Sequence, residues 1–213
     1  METLKIVAVS AGLGRPSSTR LLADRLAGAV RAQLAGERAV EVRVVELRDL
    51  AVDIANNLVT GFPGAALREA VEAVAAADGL IAVTPIFTAS YSGLFKSFFD
   101  VIENTALTGK PVLIAATGGT ARHSLALEHA LRPLFAYLRA VVVPTAVYAA
   151  SEDWGSAGDA GADGLAARID RAAEELAALV AGRSGSGSSP APRASDPYDA
   201  VVPFEQQLAA LRP

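Results

Sequence analysis

Three segments rich in hydroxyl groups, glycine and aromatic rings hold the residues of this chain best suited to chemistry, and each follows an apolar run. The first is Ser10-Ala11-Gly12-Leu13-Gly14-Arg15-Pro16-Ser17-Ser18-Thr19-Arg20, which opens a helical pattern. Unpaired amides at a helix amino terminus, at the positive end of its dipole, form an anion site. Ser10, Ser17, Ser18 and Thr19 add hydroxyl donors there, and Arg15 adds a charge-assisted one. A terminal phosphate suits such a loop; the plainer reading is that Ser17 or Ser18 only caps the helix. The segment contains neither Gly-Lys-Ser/Thr nor Gly-x-Gly-x-x-Gly, so it is not a nucleotide loop of either of those kinds.

The second segment runs from Val83 to Asp100, where a strand empties into Pro85-Ile86-Phe87-Thr88-Ala89-Ser90-Tyr91 and then into an amphipathic helix. Phe87 and Tyr91 are placed to border a ring system, and backbone groups from Pro85 onward to bond its polar edge, unless the two aromatics are ordinary packing residues. Lys96 and Asp100 stand one turn apart, the spacing of an ion pair rather than of a catalytic dyad. The third segment is Thr117-Gly118-Gly119-Thr120-Ala121-Arg122-His123-Ser124, whose paired glycines let a ligand approach the backbone. Arg122 and His123 invite readings as a phosphate contact and a proton donor, but a histidine there more often serves a helix start, and His129 lies inside a helical pattern. Hydroxyls, amides and flat rings without a strong acid or base suit a planar, hydrogen-bonding cofactor better than a hydrolytic substrate.

Five short runs, at Leu4–Ser10, 41–46, 79–84, 111–117 and 141–148, read as strands; four are continuously apolar, and the second alternates as an edge strand does. Between and after them, apolar residues recur at spacings of three and four: Leu22/Leu26/Ala29/Val30, Leu67/Val71/Val74, Leu94/Phe95/Phe98/Phe99/Ile102, Leu127/Leu131/Leu134/Phe135/Leu138 and Leu165/Ile169/Ala172/Leu176/Leu179. Alternating strands and helices require parallel pairing through right-handed crossovers. The expected fold is α/β, a flavodoxin-like doubly wound five-stranded parallel sheet of order 2-1-3-4-5, and ligands of such sheets sit outside the strands' carboxyl ends.

Composition narrows the function classes. The 213 residues are 52% hydrophobic, carry a formal charge of -4 and contain no Cys and two His. The charge and the lack of Lys/Arg blocks argue against a nucleic-acid surface. Missing thiols exclude disulfides, thiolate catalysis and Cys-ligated metals, and two histidines make a transition-metal site unexpected. Mean hydropathy is +0.34, yet charges interrupt every apolar run before it could cross a bilayer, so no membrane span is expected. The amino terminus passes straight into a strand without a signal-peptide pattern, so a cytoplasmic location is expected.

Three regions follow from composition: a domain over residues 1–181, a flexible Gly/Ser/Pro linker over 182–200, and a carboxyl-terminal segment, 201–213, whose Phe204, Leu208 and Leu211 share one face of a short helix suited to docking. The connection 151–164 reads as a solvated loop.

Across residues 4–148 the three loops resemble those of the NADPH-dependent FMN reductase family. That family's Gly-Ser-x-Arg-x-x-Ser loop holds the FMN phosphate, which implies this role for Ser10, Arg15, Ser17, Ser18 and Thr19. Its Pro-Glu-Tyr-Asn loop clasps the isoalloxazine; the matching residues are Pro85, Ile86, Phe87 and Thr88, so the Glu, Tyr and Asn are replaced here. Its glycine loop corresponds to Thr117, Gly118, Gly119 and Thr120, on the pyrimidine side of the flavin. The run Ser-Gly-Leu-Phe-Lys-Ser-Phe-Phe-Asp, the Thr-Gly-Gly-Thr-Ala-Arg-His-Ser loop and the apolar tail resemble the subfamily partnered with luciferase-like monooxygenases. The resemblance implies FMN as cofactor, NADPH or NADH as reductant, hydride transfer from nicotinamide C4 to flavin N5 without a protein nucleophile, and delivery of reduced flavin to a monooxygenase. An FMN-dependent quinone or azo-compound reductase shares every one of these features except the acceptor. A flavodoxin-type electron carrier is disfavoured by the modest charge, and a receiver module by the lack of acids at the strand ends. Surplus aromatic surface on helix 91–103 points to a homodimer or a dimer-based tetramer.

Overall fold

A computed structural model describes residues 3–36, 38–154 and 164–185, together with Gln206, Leu208 and Ala209. Its strands are β1 (Leu4–Ser10), β2 (Val40–Glu46), β3 (Gly79–Phe87), β4 (Ser90–Tyr91), β5 (Pro111–Gly118), β6 (Val141–Val142) and β7 (Val147–Ala150). Its α-helices are α1 (Ser18–Leu34), α2 (Ala51–Thr60), α3 (Ala65–Ala76), α4 (Gly93–Asp100), α5 (Arg132–Tyr137) and α6 (Leu165–Gly185). The strands pair in the order β2-β1-β3-β5-β6; β7 also runs parallel to β5, and β4 folds back antiparallel on β3. This is the expected doubly wound parallel sheet, with the alternating strand β2 at one edge. It has seven strands rather than five because a hairpin follows β3 and the last strand is split.

The split has a chemical cause. Pro144 has no N–H for the ladder, and the chain leaves β5 between the register Val112↔Val142 and the register Ala115↔Val147. The carbonyls released there are taken by Arg132, which donates to Val143 O and Pro144 O at 3.0 Å each, and Glu175 accepts from Thr145 N and Oγ1 at 2.7 Å each. A second irregularity precedes α5. Pro133 cannot donate to the carbonyl four residues back, and residues Leu127–Leu131 form a π-helical turn closed by Arg132 N–H on Leu127 O.

Two apolar layers cover the sheet. One face packs Leu22, Leu26 and Val30 of α1 and Ile169, Leu176 and Val180 of α6; the other packs α2 to α5. On the second face Phe95, Phe98 and Phe99 are buried at 0%, 0% and 2% exposure, with ring centroids 4.8 Å apart for Phe95/Phe99 and 4.9 Å for Phe99/Phe135. The aromatic pairs of α4 are therefore filled from within the subunit, which removes the surplus surface expected of that helix. Exposed apolar side chains stand instead around α2, where Val52, Leu58, Val59 and Phe62 project. Helix α2 was not legible from periodicity because only Ile54 of its ten residues is buried. Lys110, 7% exposed, donates from Nζ to Ala75 O and Ala77 O and so satisfies carbonyls at the end of α3.

By its contacts the chain divides into two units, Met1–Gly182 and Arg183–Pro213. Helix α6 continues to Gly185, into the stretch 182–200 read as a linker, and the rest of that stretch lies outside the described residues. Of the segment 201–213, Gln206, Leu208 and Ala209 are helical; Phe204 and Leu211 lie outside the described residues.

Candidate functional site

A cleft of about 540 Å³ opens where β1, β3, β5 and β7 end, a volume within the range of ligand sites. Its first wall is the loop after β1. Ser17 is the N-cap of α1, its Oγ accepting from Arg20 N at 3.2 Å, so the plain capping role is real. It leaves the first-turn amides of Ser18 and Thr19 without an intrahelical acceptor, and a capping hydroxyl keeps its own proton to donate. Thr19, 3% exposed, shares a 2.8 Å hydrogen bond with Thr117 across the cleft floor and so ties the first wall to the third. Beneath the loop, Ser10 is 1% exposed, and its Oγ has no hydrogen-bond partner among the described residues. A buried hydroxyl without a partner is costly.

The second wall is the end of β3. Thr84 Oγ1 accepts from Ser92 N at 3.0 Å and donates to Pro85 O at 3.0 Å, which fixes the exit of the strand. The strand then reaches Phe87, and a two-residue turn returns it through β4. Both turn residues are left-handed, Thr88 at φ 49° and Ala89 at φ 68°. Such hairpins favour Asn-Gly because each ordinary side chain pays about 1–2 kcal/mol there. The double substitution T88N/A89G is expected to raise stability by about 1 kcal/mol once glycine's unfolded-state entropy is subtracted, read as a higher urea midpoint at unchanged slope. An unchanged midpoint would show the turn to be unstrained.

The third wall is Thr117-Gly118-Gly119 and the fourth is Ser151 with Trp154. A Cβ at Gly119 meets nothing within 4 Å, so that backbone lies open. At Gly118 the space is taken, since a Cβ would lie 2.0 Å from the Tyr148 hydroxyl. Tyr148 Oη donates to Thr120 O at 2.9 Å, and burial, followed by the charges of Glu152 and Asp153, raises its pKa and keeps it a donor. The turn carrying Trp154 is anchored by Asp153, which accepts from Ala150 N at 2.8 Å and from Arg168 Nη2 at 2.7 Å; Arg168 Nη1 also donates to Tyr148 O at 2.7 Å.

Of the residues singled out in the sequence, the cleft walls bring together Ser17, Ser18, Thr19, Pro85, Ile86, Phe87, Thr117, Gly118 and Gly119. Ser10 lies beneath the loop, Arg15 is exposed beside Asp49 at 3.4 Å, and Thr88 stands at the hairpin tip. Tyr91 packs its ring on Phe95 at 5.9 Å, and Thr120 holds Tyr148 and caps the turn Ala121–His123. Leu13, Gly14 and Pro16, which stand in the first loop but were given no role of their own, also line the cleft, and sequence reasoning missed Ser151 and Trp154. The chain's single Trp, shortly beyond an apolar strand, was the available signal for the last of these. Arg122, His123 and His129 are exposed, Lys96 pairs with Asp100 on α4, and no described residue lining the cleft is charged. Among the described residues no group of three or more His, Cys, Asp or Glu is placed to hold a metal ion, and no helix is long and apolar enough to cross a membrane.

This cleft has helix-terminal amides at one end and two aromatic residues, Phe87 and Trp154, on its walls, and it lies at the strand carboxyl ends of a flavodoxin-like sheet. Residues 4–155 match the model of the NADPH-dependent FMN reductase family, and the chain belongs to that family. It is 41% identical over 180 residues, 84% of this chain and 94% of the relative, to an FMN reductase (NADPH) of Pseudomonas aeruginosa. An oxidoreductase of Corynebacterium diphtheriae superposes with a TM-score of 0.80 at 48% identity, over 85% of this chain and 99% of the other. The apo form of an NADH:FMN oxidoreductase, EMOB, gives a TM-score of 0.68 at 31% identity, over 92% of each chain.

Proposed function

We propose that the cleft holds FMN with its phosphate at the loop of Ser17, Ser18 and Thr19, and with its ring between the wall of Pro85, Ile86 and Phe87 and the wall of Gly118 and Gly119. The chain is an NAD(P)H-dependent FMN reductase. The observation that carries the placement is the pairing, in one cleft, of acceptor-free first-turn amides of α1 with an uncharged, partly aromatic wall. Ser10 fits the same ligand, because its buried Oγ lacks a partner below the loop that would receive the phosphate. When bound, FMN supplies the redox chemistry by accepting hydride from the nicotinamide. The chain's own groups bind and orient: α1 and its hydroxyls hold the anion, Thr19 and Thr117 lock the two walls together, and Tyr148 fixes the glycine loop. Backbone N–H groups of that loop stabilise negative charge at the ring edge. No base is needed for that step.

The monooxygenase role, the oligomer and the location extend this reading. Delivery of reduced flavin to a luciferase-like monooxygenase agrees with a cleft that is open to solvent. A homodimer or dimer-based tetramer is supported by the exposed Leu58, Val59 and Phe62. The enzyme works in the cytoplasm.

Fluorescence titration with FMN and with riboflavin tests the placement: FMN is expected to bind at least tenfold more tightly, and equal affinities would remove the phosphate from the loop. Anaerobic mixing of the loaded protein with NADPH or NADH is expected to bleach the flavin absorbance. Binding without bleaching by either nucleotide would favour the electron-carrier reading.

A further inference from the structure

Behind the first loop, charged side chains form one connected chain of contacts. Arg20 donates from Nε to Asp24 at 2.9 Å and from Nη1 to Glu46 Oε1 at 2.6 Å. The other oxygen of Glu46 accepts from Arg48 Nη2 at 3.1 Å, and Arg48 Nε meets Asp49 Oδ1 at 3.5 Å. The chain ends in the loop itself, where Arg48 Nη1 donates to the carbonyl oxygen of Gly14 at 2.7 Å. Arg48 belongs to the turn Leu47–Leu50 after β2, and its side chain is only 20% exposed. It does not line the cleft, whereas Gly14 does.

The C=O and N–H of a trans peptide point in opposite directions. With Gly14 O held by a guanidinium that does not line the cleft, the N–H of Arg15 points away from that guanidinium. We propose that Arg48 is a positioning residue for the phosphate of the flavin, fixing the Gly14–Arg15 peptide so that its N–H joins the first-turn amides of α1 as an anion donor. Arg48 thereby makes the enzyme selective for the phosphorylated flavin over riboflavin.

The residue type fits this task. A guanidinium spends one nitrogen on the carbonyl and another on Glu46 with both bonds fixed in one plane, whereas a lysine ammonium makes the first bond without that fork. Glu46 is itself held by Arg20, and Arg48 cannot swing away without breaking its own pairs with Glu46 and Asp49. The side chain leaves the phosphate untouched and works through the backbone. An arginine that merely stapled the turn to the loop would, on removal, weaken every flavin alike through lost order.

The proposal rests on the loop being the FMN phosphate site, and the test separates the two ideas. The full chain carrying Arg48→Met, which keeps the apolar stem, is titrated with FMN and riboflavin, and its steady-state constants and melting temperature are measured. FMN affinity is expected to fall about ten- to hundredfold, the range of one hydrogen bond to a charged acceptor, while riboflavin affinity stays within about twofold. KM for FMN rises with kcat at saturation unchanged, and Arg48→Lys restores part of the loss. Should Arg48→Met fail to fold, Glu46→Gln loosens the guanidinium without removing it, and a smaller loss confined to FMN is expected. Equal losses for the two flavins, or no loss for either, overturn the role of Arg48. A wild-type chain that binds riboflavin as tightly as FMN overturns the phosphate site and this proposal with it.

Discussion

Gly118→Ala is expected to weaken FMN binding at least tenfold and to destabilise the fold by about 2–4 kcal/mol. The added Cβ would lie 2.0 Å from the Tyr148 hydroxyl and 3.0 Å from its Cζ. Tyr148 is 4% exposed, so its ring has no room to swing. Overpacking of this kind costs about 1–3 kcal/mol, and the bond from Tyr148 to Thr120 O, worth about 1 kcal/mol, is lost as the two parts separate. Either the ring or the glycine loop must move, and the loop forms a cleft wall. Tyr148→Phe alone removes the hydroxyl and is expected to cost about 1 kcal/mol. In the double variant the worst contact is gone while the 3.0 Å contact remains, so its stability should exceed the sum of the single effects by about 1 kcal/mol or more. Additive losses in a denaturation cycle would show that Tyr148 does not set the place of Gly118.

Only part of this contact was legible in the sequence. Paired glycines after an apolar strand mark a close backbone approach, and at Gly119 the space is indeed open. At Gly118 the approaching group is a tyrosine about thirty residues further on, and a local pattern has no access to a contact between strand ends. The sheet was readable because buried parallel strands are continuous apolar runs and each crossover helix buries a regular stripe. Helix α2 escaped because it rests on Ile54 while Val52, Leu58 and Val59 face outward. The aromatic residues of α4 misled for the converse reason: their partner, Phe135, lies on α5, and a ring cluster across two helices looks like surplus surface when one helix is read alone. Trp154 and Ser151 reach the cleft only because β7 ends beside β5, which follows from strand order and from no residue near them.

The amino-terminal loop should be the least tolerant part of the cleft, and Gly12→Ala tests it. A Cβ at Gly12 would stand 2.0 Å from Ser17 Oγ and 3.0 Å from Thr19 Cβ. Ser17 Oγ has no long flexible stem to carry it aside, and moving it gives up the N-cap bond to Arg20, at about 0.5–2 kcal/mol. Thr19 is buried and joined to Thr117, so it cannot retreat cheaply either. With an overpacking term of about 1–3 kcal/mol, the loss of stability should reach about 2–4 kcal/mol, and FMN affinity should fall about tenfold to a hundredfold because the same displacement turns the first-turn amides of α1 away from the phosphate. Adding Ser17→Gly removes the worst contact at a capping cost of only a few tenths of a kcal/mol. The pair G12A/S17G should therefore regain most of the melting temperature. It should regain less of the preference for FMN over riboflavin, since the Ser17 hydroxyl is gone. If the single variant keeps wild-type stability and wild-type FMN affinity, the loop is not a tightly packed anion cradle, and the phosphate must be held elsewhere in the cleft.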